Sequence, residues 1–188
     1  MHIRYFYPSS KEIFIRDAYR GIMCILPDHE ILSCIQNGIL NISDFYDGSL
    51  TPNGYDLRIA EISIPDSGLN VTEGKVKIPP KTMFYVSTVE KVELPNYISA
   101  QLWLRTSWIR KGILAGLGKV DAGFKGTLTF MGYNVSNNEI ELSISDRFVQ
   151  IVFESLHSPA LISYEKRSGN YQGQKGITLS PVLDKVQR

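Results

Sequence analysis

From Tyr55 onward the chain alternates. In "ISAQLWLR", Ile98, Ala100, Leu102 and Leu104 fall on one side, and Ser99, Gln101, Trp103 and Arg105 on the other. That is the period of a pleated strand, not of a helix. "TLTFMGYN" and "RFVQIVFE" alternate in the same way. Between such runs lie turn clusters: "TPNG", "PDSG", "IPPKT", "LPN", "DAGFKG" and "SNNE". Short strands punctuated this closely predict an all-β sandwich or barrel and exclude a run of βαβ units.

The N-terminal part differs. Ser9 and Glu12 have capping-box spacing before an apolar stretch that ends at Gly21, which predicts a short helix. A second helix is expected in "PDHEILSCIQNGIL", with Asp28 as cap, Ile31, Leu32 and Ile35 on one face, and Asn37-Gly38 as stop. The polar, glycine-rich C-terminal stretch "KRSGNYQGQKGITLS" is expected to be mobile when nothing is bound.

At 188 residues the chain fits one domain with a substantial core. A net charge of +1 argues against the broad basic footprint of a nucleic-acid binder, although a local basic pocket would still suit a nucleotide. Cys24 and Cys34 sit in apolar surroundings and read as buried free thiols. No signal peptide is visible and no apolar run approaches the ~18 residues of a membrane span, so a cytoplasmic location and no membrane partner are expected.

Common catalytic signatures are missing: there is no GxxxxGKS/T, GxGxxG or GxSxG. His2, His29 and His157 are scattered, and the H-x-E and P-C-x-x-C pair of zinc deaminases is absent. Three polar constellations remain. "RTSWIR" sets Arg105, Thr106, Ser107 and Arg110 after a strand, a group that suits a polyphosphate and equally reads as a solvated basic turn. In "DAGFKG", Asp121 either caps its turn or orients a water or sugar hydroxyl. Gln150, on the face of Phe148 and Val152, needs a partner that could be core or ligand.

Taken in order, "GYDLR", "LRTSWIRKG", "VDAGFKG", "SDRFVQIVF" and "NYQGQKG" resemble the motifs of the dCTP deaminase/dUTPase superfamily. "LPDHEILSCIQNGIL" is similar to the opening helix of its deaminase branch, and the likeness runs over roughly residues 25–180. The resemblance implies a mainly β fold, a distorted, jelly-roll-like β-barrel of the dUTPase type with short N-terminal helices. It divides the chain into an extension (1–24), a barrel (25–163) and a C-terminal lid (164–188). It also implies a homotrimer with active sites at subunit interfaces, acting on a deoxyribonucleoside triphosphate (dUTP, or dCTP) carrying Mg²⁺.

Residue by residue, the resemblance makes Arg105, Thr106, Ser107, Arg110, Gln150, Tyr164, Tyr171 and Gln174 phosphate contacts. Asn170 stands where deaminases often carry a lysine, for which Arg167 or Lys175 could substitute. Asp121 and Phe124 would hold the sugar, and Asp121 would orient a water. Met131 occupies the position of the deaminase glutamate, and a thioether can neither relay a proton nor activate water. These assignments lead to dUTP diphosphatase activity as the first expectation, with Asp121 as the catalytic residue. A dCTP deaminase or bifunctional enzyme is the alternative, and a non-catalytic nucleotide binder a further one.

Overall fold

The computed structural model describes residues 24–182. Fourteen strands run as β1 (Asn41–Ile42), β2 (Leu50–Thr51), β3 (Gly54–Ile64), β4 (Leu69–Val71), β5 (Lys75–Ile78), β6 (Met83–Thr88), β7 (Val92–Glu93), β8 (Ile98–Leu104), β9 (Ile113–Gly116), β10 (Lys119–Val120), β11 (Lys125–Gly126), β12 (Thr129–Asn134), β13 (Ile140–Ser143) and β14 (Arg147–Ser155). Among the described residues three α-helices accompany them: α1 (Asp28–Gln36), α2 (Thr106–Lys111) and α3 (Tyr164–Arg167). The fold is mainly β, as the alternation requires.

The largest sheet follows the path β10-β8-β14-β3-β6-β12-β9, with β2 and β4 added to β3. Its pairings are antiparallel. The two ends of this path, β9 and β10, are joined by Leu117 and Gly118 alone. A linker that short spans at most roughly 11 Å between flanking Cα atoms. The sheet must therefore curl until its ends approach, giving the distorted barrel. β1-β7-β11 and β13-β5 form two smaller sheets.

Inside the curl, Phe148 meets Phe84 edge-on at 6.2 Å between ring centroids and Trp108 at 6.1 Å. Burying each such ring contributes about 1.5–3 kcal/mol. The Trp108 indole donates to the Arg147 carbonyl (2.8 Å), which pins α2 to β14. Gly132 lies directly under the Phe84 ring, where a Cβ would come within 2.3 Å of the ring.

Sequence periodicity holds for β12, where Phe130, Gly132 and Asn134 are buried and Met131 is exposed. It fails for β14, in which Phe148, Val149, Ile151, Val152 and Phe153 are all buried. That strand is central, covered on both faces, and carries an irregularity between Arg147 and Val149. A second bulge lies in β3 between Ile59 and Glu61. It inverts the strand's phase, so that Ile59 and Ile62 both point inward and Glu61 points outward.

Two expectations need correction. The cap of α1 is Pro27, whose carbonyl accepts from Glu30 and Ile31, and Asp28 is the first helical residue. Asp28 Oδ1 instead accepts the His29 N–H at 2.7 Å. The stop stands: Asn37 caps the helix and Gly38 is left-handed at φ 66°. The C-terminal stretch, expected to be loose, lies docked along residues 123–129, because its amides and carbonyls find main-chain partners there. The helix expected after Ser9 falls outside the described residues. Cys34 is a buried free thiol, and Cys24 is half-buried.

Candidate active site

A cavity of about 480 Å³ opens on the outer face of β12 and β6, beneath the C-terminal segment. Met131 is part of its wall, on the same face as Thr129, and its cross-strand neighbours are Tyr85 on β6 and Gly116 on β9. A Cβ at Gly116 would lie 3.3 Å from the Met131 methyl, so the glycine makes room for the thioether.

Asp121 follows β10 at the rim. Its carbonyl accepts the Phe124 N–H (3.1 Å), closing the turn that "DAGF" predicts, and Gly123 supplies the positive φ of 87°. Asp121 Oδ1 pairs with Lys119 Nζ at 3.0 Å. Two residues apart along a strand direction, the pair shares one side. Phe124 is buried with its ring edge-on to Tyr164 at 5.7 Å, and the Tyr164 hydroxyl accepts the Tyr171 N–H at 3.2 Å. The turn and the C-terminal segment thus lock together.

Gln174 reaches the cavity wall, but its amide is committed. Nε2 donates to the Thr127 carbonyl (2.6 Å), and the Thr127 N–H donates back to the Gln174 carbonyl (3.1 Å). This residue clamps the C-terminal segment to Thr127, between β11 and β12.

The structure gathers Asp121, Phe124, Met131, Tyr164, Tyr171 and Gln174 around one cavity. It does not bring Arg105, Thr106, Ser107, Arg110 or Gln150 there. Val120 pairs with Ala100, and Arg105 lies five residues further on past the end of β8. At the strand rise of ~3.3 Å that is roughly 17 Å. Arg105 Nε pairs with Asp56 Oδ2 (2.8 Å), and Nη1 donates to the Arg147 carbonyl (3.2 Å). Thr106, Ser107 and Arg110 are exposed on α2, and Gln150 Nε2 donates to Thr51 Oγ1 (3.0 Å).

Asp56 was missed by sequence reasoning. Its carboxyl is buried, and burial lifts it above the ordinary carboxylate range against the opposing pull of Arg105 and Arg147. Lys119 was missed too, although its spacing from Asp121 was visible. Among the described residues no three His, Cys, Asp or Glu side chains gather into a metal-holding set.

A family profile described as dCTP deaminase-like matches residues 67–156. A protein named dCTP deaminase from Pyrococcus abyssi is 42% identical over 158 residues, covering 83% of this chain and 97% of that protein. The chain belongs to the dCTP deaminase family. Another member, named dCTP deaminase from Korarchaeum cryptofilum, is 34% identical over 180 residues, covering 86% of this chain and 99% of its own. In fold, the chain is similar to the crystal structure of 2'-deoxycytidine 5'-triphosphate deaminase from Agrobacterium tumefaciens, with TM-score 0.61 and 19% identity. That match covers 71% of this chain and about half (48%) of the solved one.

These relatives overturn the dUTP diphosphatase reading drawn from Asp121 and Met131. That reading tied deamination to a glutamate at position 131 and gave Asp121 to phosphate-ester hydrolysis. The cavity wall also carries Asp121, Lys119, Tyr85 and Tyr171, so a thioether at 131 leaves other proton-handling groups beside the same space. Among the described residues, no helix is long and apolar enough to cross a membrane.

Proposed function

We propose that the chain deaminates dCTP, adding water to give dUTP and ammonia. The observation that carries this is the 42% identity to a protein named dCTP deaminase, over 97% of that protein's length. The cavity supports it chemically. Its Leu117 and Met131 lining suits the faces of a base, while Asp121, Lys119 and two tyrosines of the C-terminal segment supply polar contacts.

Attack on C4 of cytosine requires a group that takes the water proton and a proton for the departing amine. Among the described residues lining the cavity Asp121 is the sole carboxylate, and in this reading it accepts that proton, oriented by Lys119. Phe124 packs beneath the sugar, and Tyr171 closes over the nucleotide with the segment that carries it. A positioned base of this kind contributes about 10²–10⁴-fold.

In the same reading the triphosphate is bound by Arg105, Thr106, Ser107, Arg110 and Gln150 of a neighbouring copy, in a homotrimer. The separation of these residues from the cavity within one chain favours a composite site. So does the exposed apolar strip of Trp103, Ile109 and Leu114 between them. Mg²⁺ would arrive on the triphosphate as part of the substrate, where it would neutralise phosphate charge. Incubating the protein with dCTP and Mg²⁺, then separating nucleotides and assaying ammonia, tests the proposal. Equal dUTP and ammonia are expected; dCTP recovered unchanged from protein that binds it would overturn the reading.

A further inference from the structure

The bulge in β3 turns Glu61 outward, onto the face that carries the cavity. There it stands in one cross-strand row with Ser87 of β6 and Thr129 of β12. Residues 176–178 cross this row. Ile177 N–H donates to Glu61 Oε2 (3.1 Å), Thr129 Oγ1 donates to the Gly176 carbonyl (3.1 Å), and Thr178 N–H donates to Thr129 Oγ1 (3.0 Å). Ser87 lies between the two grips, only 1% exposed, with its hydroxyl unpaired. A small residue there lets the backbone descend between Glu61 and Thr129.

Gly176 fits this contact in two ways. It holds φ at 61°, and a Cβ would sit 3.2 Å from Glu61 Oε2. Thr178, at the end of the grip, and Leu179, directly beyond it, form part of the cavity wall, and Tyr171 and Gln174 precede it.

We infer that Glu61 is a positioning residue: a latch that sets the register of the C-terminal segment over the cavity. It reaches the substrate only through that segment. Its link to catalysis rests on the deamination reading; its link to the segment does not. Glu61 accepts a main-chain N–H, so it constrains residue 177 whatever side chain stands there. Losing one such bond, net about 1 kcal/mol, weakens closure roughly fivefold.

The test compares wild type with Glu61→Ala, Glu61→Gln and Gly176→Ala. Without nucleotide, trypsin cleavage after the exposed Lys175 is followed by mass spectrometry, with circular dichroism confirming folded protein. Glu61→Ala is expected to be cut about fivefold faster there. Gly176→Ala should behave likewise, and Glu61→Gln, which keeps an acceptor oxygen, should return to the wild-type rate. With dCTP, Glu61→Ala should raise KM about fivefold with a smaller effect on kcat, as expected when binding is weakened more than the chemical step. Folded Glu61→Ala cut at the wild-type rate would overturn the latch. Faster cutting in a protein that never deaminates dCTP would leave the latch standing and remove the deamination reading instead.

Discussion

Arg105 Nε lies 2.8 Å from Asp56 Oδ2, while Asp56 Oδ1 is buried without a hydrogen-bond partner. Burial outweighs the two arginines and raises this carboxyl above its ordinary value. The native protein therefore holds the Asp56 proton more tightly than the unfolded chain does. Its contribution to stability is complete below the unfolded value, near ~4, and is lost as pH climbs through the raised native value. Asp56→Asn carries no such proton. Urea midpoints measured from pH 4 to 7 should shift progressively in favour of the variant, relative to wild type. A constant difference across that range would contradict the assignment.

Glu90 is fully buried and satisfied: Arg58 Nε at 2.7 Å, the Arg58 N–H at 2.9 Å and the Tyr55 hydroxyl at 3.2 Å all donate to it. The Arg58 guanidinium continues to the Asp44 carbonyl. Glu90→Ala strips the partner from a largely buried guanidinium and should cost about 3–5 kcal/mol. Denaturant titration reads this directly, and a loss below ~1 kcal/mol, the scale of a surface pair, would show the network to be dispensable.

Asp121 and Met131 make opposite predictions. Asp121→Asn should lower dCTP deamination by about 10²–10⁴-fold in kcat. Met131→Glu adds a carboxylate to the cavity wall and should raise the rate, or rescue part of it in the Asp121→Asn background. Ammonia release at saturating dCTP measures both. Full activity in Asp121→Asn would move water activation to another group.

Gly132→Ala would drive a methyl to within 2.3 Å of the Phe84 ring, on the inner face of β12. A Phe84–Phe148 contact at 6.2 Å leaves the ring little freedom to retreat. The variant should lose about 1–3 kcal/mol of stability. Thermal unfolding tests it, and Gly132→Ala with Phe84→Leu should recover part of the loss.

Cys34 lies on the buried face of α1, and burial together with Glu30 pushes its thiol up to about 11. The thiolate is the reactive form, so Cys34 should resist iodoacetamide at pH 8 in the native protein and react once denatured. Rapid native labelling at this position would contradict its burial.

Alternation is a local property of the pleat, so the sequence by itself determined that β12 turns Met131 and Thr129 outward and Phe130 inward. It likewise determined the "DAGFKG" turn, the helix stop at Gly38 and the mainly β class, because each depends on neighbours a few residues away. The ordered motifs pointed to the family as a whole; the choice between its chemistries, made on one position, went the wrong way. Tertiary structure alone decided that Asp121, Met131 and Tyr171 share a cavity while Arg105 is held elsewhere by Asp56. It also decided that β14 is covered on both faces, and that a bulge at Ala60 aims Glu61 at the C-terminal segment. Register and bulges are set by strand partners distant in the chain, and no local pattern encodes where those partners stop and start.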